Sequence, residues 1–108
     1  MSLKTKLFGA VFICLVQIPL FAADASNGEK LYAKCKACHG NEGMGKKSQK
    51  APMLAGQYDW YIKKQIHAIK SGERANNQTK KMVPFVKNLT DTEIEDLAAY
   101  VSQLKKRQ

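Results

Sequence analysis

The chain has 108 residues, with 18 Lys and Arg against 9 Asp and Glu and a formal charge of +9. That length holds one domain at most. So basic a balance points to an anionic partner such as nucleic acid, an acidic membrane surface or an acidic protein, and no nucleic-acid-binding motif is found in the chain.

The first segment reads as an export signal. Lys4 and Lys6 precede an apolar run from Leu7 to Phe21. The run is short and lightly flanked for a membrane span, and small residues follow it, so residues 1–23 are expected to be a signal peptide. Cleavage after Ala22 or Ala23 fits, and Ala23-Asp24-Ala25 also satisfies the A-x-A pattern, which places the junction near 22–25. The alternative is an uncleaved anchor. Cys14 lies inside this segment behind Phe12 and Ile13, not the small residues that precede a lipidated cysteine, and is expected to leave with it. The expected domain is then 24–108, about 85 residues, and losing Lys4 and Lys6 lowers the charge from +9 to +7. Chains of that size commonly need a staple.

The remaining elements are expected to be helical, since no stretch sustains a period of two. Ser26-Asn27-Gly28-Glu29 has the form of a capping box. It predicts a first helix that starts near Ser26, presents Leu31, Tyr32 and Cys35 on its inner side and ends near His39-Gly40. Cys35-Lys36-Ala37-Cys38-His39 has the C-x-x-C-H spacing of covalent haem attachment. Two thiols three residues apart on a helical turn point the same way, so both can add to vinyl groups along one edge of a haem. The next residue brings an imidazole to the iron. A zinc site would need a second pair of ligands, and no later cysteine exists. A thioredoxin-type pair would need a strand before it.

Residues 40–56 read as a basic loop punctuated by Gly43, Gly45 and Pro52, with Lys46, Lys47 and Lys50. A second helix is expected from about Tyr58 to Ser71, stopped by Gly72. Tyr58, Ile62, Ile66 and Ile69, with Tyr61 and Gln65 beside them, form its predicted buried stripe; Lys63, Lys64, His67 and Lys70 lie opposite. Residues 73–81 are polar loop, and Pro84 suits the first turn of a short helix. The last helix has a second capping box in Thr90-Asp91-Thr92-Glu93, with Leu89 placed to staple onto Ile94. Ile94, Leu97, Ala98, Val101 and Leu104 form one apolar face, and Lys105, Lys106 and Arg107 suit the negative end of the helix dipole.

Taken in order, these pieces resemble a class I cytochrome c of the short monohaem bacterial type. The pieces are Gly28 with Leu31-Tyr32, then Cys35 to Gly40, Ala51-Pro52-Met53-Leu54-Ala55-Gly56-Gln57, Tyr61 with Gln65-Ile66, Ser71-Gly72-Glu73-Arg74, Met82, and Leu97 with Ala98-Ala99-Tyr100. The resemblance implies an all-α fold of three to four helices around one covalently attached haem c. It implies thioether links at Cys35 and Cys38, iron ligation by His39 and Met82, and a Pro52 carbonyl that orients the proximal imidazole. It also implies that Gly28 and Tyr32 cross Leu97 and Tyr100, and that Arg74 pairs with a haem propionate. A solvated loop arginine is the alternative for Arg74.

Weighing the methionines separately also favours Met82. Met44 is close to His39 in sequence, Met53 adjoins Pro52, and Met82 stands on its own loop. A core methionine is the alternative, and His67, on the polar face of its helix, is a weaker rival ligand. Trp60 falls off the apolar stripe, either covering the haem edge or half exposed. The lysines at 46, 47, 50, 63, 64, 80 and 81 either form a docking ring or serve solubility.

The expected function is periplasmic one-electron transfer with acidic redox protein partners and no bond chemistry on a substrate. One alternative is a haem subunit of an oxidoreductase complex. Another is a haem enzyme or gas sensor with a labile distal ligand.

Overall fold

The computed structural model describes residues 2, 4, 8–17 and 22–104. Lys6, Leu7 and Phe21 of the expected export signal, and Lys105, Lys106 and Arg107 of the last helix's expected basic end, lie outside the described residues. Among the described residues there is no β-strand. The α-helices are α1 (Ala25–Tyr32), α2 (Lys36–His39), α3 (Asp59–Ser71), α4 (Val83–Val86) and α5 (Asp91–Gln103), with short 3₁₀ turns at Lys47–Gln49 and Thr79–Lys81.

Two features of the first helical segment differ from expectation. The cap is Asp24, not Ser26: its carboxylate accepts from the Asn27 N–H at 3.1 Å, and Ser26 lies inside the helix. The helix also stops at Tyr32. Ala33 and Cys35 donate to the carbonyls of Lys30 and Tyr32, three residues back, and this tightening separates α1 from the single turn of α2. The C-x-x-C-H residues therefore stand on their own turn, which Gly40 ends at φ 86° and ψ 158°, a region open to glycine alone.

The α1 and α5 helices cross at Gly28. A methyl group there would lie 2.0 Å from the Asp96 carbonyl oxygen and 2.8 Å from the Tyr100 Cβ, so only glycine allows this approach. Beside the crossing, the rings of Tyr32 and Tyr100 meet at 5.5 Å. The core joins Tyr32 of α1, Ile62, Ile66 and Ile69 of α3, Val86 of α4, and Ile94, Leu97, Ala98 and Val101 of α5.

The α3 stripe is narrower than expected. Tyr58 is 69 % exposed and Tyr61 38 % exposed, whereas the three isoleucines are buried. Tyr58 is the N-cap of α3, ahead of its first turn. It stacks on Trp60 at 6.0 Å, and Trp60 meets Tyr61 edge-on. Lys63 is drawn against α5 by Glu95 at 3.0 Å. Gly72 closes α3 in the left-handed conformation at φ 84°.

The α5 helix begins as its sequence dictates. The Thr90 hydroxyl accepts from the Glu93 N–H, and the Glu93 carboxylate accepts from the Thr90 N–H, both at 3.1 Å. Leu89 packs against the core ahead of it.

Candidate haem-attachment site

The α2 turn presents two free thiols and an imidazole. Cys35, its N-cap, is half-buried; Cys38, three residues on, is exposed. Burial and the neighbouring Cys38 both push the Cys35 thiol above its ordinary pKa, against a smaller opposite pull from Lys34. Disulfide-exchange pairs of this spacing work by the reverse arrangement, a lowered thiol pKa. Among the described residues no group of three or more His, Cys, Asp or Glu gathers in metal-binding range.

His39 is buried, and its Nδ1 lies 2.9 Å from the Pro52 carbonyl oxygen. A carbonyl only accepts, so Nδ1 carries a proton, and in the neutral imidazole the lone pair then lies on Nε2. The neutral ring is thereby held as the tautomer able to ligate a metal through Nε2.

The loop is folded so as to deliver that carbonyl. Lys46 and Ala51 exchange backbone hydrogen bonds at 3.0 and 3.1 Å, and Lys50 turns the chain at φ 51°. Gly45 donates its N–H to the His39 carbonyl at 2.8 Å. At φ 79° it also leaves room for the returning backbone: a Cβ on Gly45 would lie 2.7 Å from the Ala51 oxygen and 2.8 Å from Pro52 C. Gly45 thus positions Pro52. In the sequence it reads only as loop punctuation, because the strand of backbone it faces is set by the Lys46–Ala51 pairing. Tyr32 braces the turn from below, its hydroxyl donating to the Gly40 carbonyl at 2.7 Å.

Met82 is half-buried against the core, and its N–H donates to the Thr79 carbonyl at 2.9 Å. Thr79 is itself buried. Its hydroxyl accepts from the Asn76 N–H at 2.8 Å, and the Asn76 side chain accepts from the N–H groups of Gln78 and Thr79. The polar loop of residues 73–81 is therefore a knotted support for Met82. Arg74 is exposed and donates from Nη1 to Gln65 Oε1 at 3.0 Å. His67 is exposed on α3, and Trp60 is 57 % exposed.

An open cleft of about 260 Å³ adjoins Cys35, walled by Leu31, Pro84, Phe85, Leu89 and Leu97. The donor set fits a covalently held haem: two free thiols on one turn, an imidazole whose Nδ1 is occupied by Pro52, and a cleft beside the inner thiol in which those apolar residues are joined by Lys34, Asn88 and Glu93.

Comparison with known proteins agrees with this chemistry. The cytochrome c family model matches residues 25–105. Cytochrome c-554(548) of Halomonas halodenitrificans is 38 % identical over 81 residues, which cover 75 % of this chain and 96 % of that protein. Cytochrome c4 of Pseudomonas aeruginosa is 39 % identical over 84 residues, covering 78 % of this chain and 40 % of that protein, so the chain spans about two-fifths of this longer relative. The crystal structure of reduced recombinant cytochrome c4 from Pseudomonas stutzeri superposes with a TM-score of 0.66 at 28 % identity, covering 74 % of this chain and 47 % of that one. With its C-x-x-C-H turn inside the matched span, the chain belongs to the cytochrome c family, whose cofactor is a covalently attached haem c with iron.

Proposed function

We propose that this protein is a periplasmic electron carrier whose haem iron is ligated by His39 and Met82. Electron transfer is what its cytochrome c homologues imply. The observation that supports the finer reading is the His39–Pro52 hydrogen bond, which occupies Nδ1 and leaves Nε2 of the neutral ring as the nitrogen available to a metal.

A bound haem supplies an iron that gains and loses one electron. The residues do the rest. Cys35 and Cys38 fix one edge of the ring. Pro52 holds the imidazole plane and raises its basicity through the shared proton. Met82 offers a thioether from a loop braced by Thr79 and Asn76, a donor that favours the ferrous state. His39 and Met82 would together hold the iron and keep small molecules from it. Arg74 keeps guanidinium N–H groups beyond the one given to Gln65, and a propionate carboxylate suits them.

Periplasmic placement rests on the export segment read in residues 1–23. No helix among the described residues is long and apolar enough to cross a membrane. Acidic partners are proposed from the lysine excess. Lys47, Lys50, Lys64, Lys80 and Lys81 are exposed, while Lys46 donates to the Ala37 carbonyl and Lys63 is paired with Glu95.

The test is axial ligation in the holoprotein. Met82→Ala is expected to abolish the weak near-red ferric band of iron–sulfur ligation and the upfield methionine methyl resonance of the ferrous proton spectrum, and to admit cyanide or imidazole. Met82→His is expected to lower the midpoint potential, since axial ligands move haem potentials over about 0.8 V. Persistence of both signals in Met82→Ala would overturn the distal assignment. Rapid carbon monoxide binding to the unaltered protein would favour the gas-binding alternative.

A further inference from the structure

Asp96 is the one acidic side chain that is buried among the described residues. It sits on α5 at the α1 crossing, 5 % exposed. Its Oδ1 accepts from the Asp24 backbone N–H at 2.7 Å, and its Oδ2 from the Asn27 amide at 2.9 Å. No Lys, Arg or His among the described residues pairs with it. A buried carboxylate held by neutral donors alone is costly, and a cation beside it would be strongly favoured.

The position of its first donor supplies that cation. Asp24 lies at the proposed signal junction, where three cuts suit the sequence: after Ala22, after Ala23 and after Ala25. The third is the only strict A-x-A match, and it would strip the fold. It removes the Asp24 carboxylate that caps α1 through Asn27, the Asp24 carbonyl that accepts from Gly28 at 3.0 Å, and the N–H on Asp96. Asp96 would keep Asn27 alone.

We propose that the leader is cut after Ala22 or Ala23, and that the new α-ammonium becomes the counter-charge of Asp96. This rests on the reading of residues 1–23 as an export signal. In the cut, water adds across one amide under an export-linked signal peptidase. The leader leaves with a C-terminal carboxylate, and the mature chain gains an amine that takes a proton. A chain beginning at Asp24 puts that ammonium at the nitrogen already 2.7 Å from Oδ1; one beginning at Ala23 puts it one residue away. In the precursor the same nitrogen is a neutral amide, so leader removal itself adds an ion pair to the crossing that holds α1 on α5.

Two measurements on the holoprotein test this. The intact mass of protein purified from the periplasm is expected to give an N-terminus at Ala23 or Asp24. A start at Ser26 overturns the proposal while leaving a cleaved leader standing; an uncleaved chain overturns both the proposal and the reading of residues 1–23 as a cleaved leader. Then a short Gly-Ser extension ahead of the mature start carries the ammonium away from Asp96. It is expected to lower the guanidinium midpoint of the native protein and to leave that of Asp96→Asn unchanged. Equal shifts in both backgrounds overturn the pairing. An extension that leaves the native midpoint unchanged overturns it too, even if Asp96→Asn gives no folded protein.

Discussion

At the scale of single residues, two positions set the C-x-x-C-H turn without belonging to it. Tyr32 is fully buried, and its hydroxyl is tied to the Gly40 carbonyl. Burial, then the nearby Cys35 and Tyr100, push its pKa up to about 12 from 10.0. Thioether formation removes the Cys35 contribution, but burial is the larger cause and stays. Because the folded state holds this proton more tightly, the linked stability is present below pH 10 and is lost as pH rises towards 12. Tyr32→Phe is expected to cost about 1 kcal/mol at neutral pH through the lost hydrogen bond. Above pH 10 the gap to the native protein should narrow, since only the native chain has an unfolded-state phenol to ionise at this position. Guanidinium midpoints between pH 8 and 11 measure it; a constant gap would refute the account.

Gly45 is the second. Its alanine variant would meet the Ala51, Pro52 and Met53 backbone at 2.7–2.8 Å and would suffer a positive φ besides. Gly45→Ala is expected to lose about 1–3 kcal/mol of stability. It should also raise the midpoint potential, because a displaced Pro52 carbonyl leaves the imidazole a weaker donor to ferric iron. Gly72→Ala is the control. That glycine also has a positive φ, but nothing lies within 4 Å of an added Cβ, so stability falls and the potential stays.

At the scale of elements, the α1–α5 crossing orders the molecule, and Gly28 sets its distance. Gly28→Ala improves helix propensity by about 1 kcal/mol, yet the methyl would lie 2.0 Å from a backbone oxygen that cannot rotate away. The clash wins, and the net loss is expected to exceed about 2 kcal/mol in a denaturant titration. Ser26→Ala, on the exposed side of the same helix, should gain a few tenths of a kcal/mol by propensity alone. A neutral Gly28→Ala would mean that the helices can part freely.

What the sequence disclosed at this scale follows a physical line. The Thr90–Glu93 box and the Gly72 stop were legible because each is complete within a few residues. The C-x-x-C-H turn was legible for the same reason. The start of α1 was not, because Asp24 is held by Asp96, 72 residues away, and that tie makes Asp24 the cap in place of Ser26. The break after Tyr32 was hidden likewise, since no glycine or proline marks it. Helical period places Tyr58 in the core, but it carries no information about where the helix begins, and Tyr58 is the N-cap of α3.

At the scale of the whole molecule, the buried core cluster among the described residues is nine side chains, one from α1, three from α3, one from α4 and four from α5. Leu31, Cys35, Leu54, Met82, Val83, Leu89, Tyr100 and Leu104 surround that core only partly buried. Ordering the chain costs about 1–2 kcal/mol per residue in backbone entropy, and apolar burial in a chain of this length offsets little more than that. A covalently held haem would give these partly buried side chains a large apolar plate to close on, and with the proposed ligation by Met82 it would tie the α2 turn to the Met82 loop. Folding is therefore expected to depend on attachment. The variant with both Cys35→Ala and Cys38→Ala should lose most of its helical circular dichroism and its cooperative melting transition, and should become sensitive to protease. The single variants should fall between, because one thioether still anchors the ring while His39 and Pro52 remain in place. Full helicity with a sharp transition in the haem-free double variant would show that the helices close without the plate, and that the haem serves electron transfer alone.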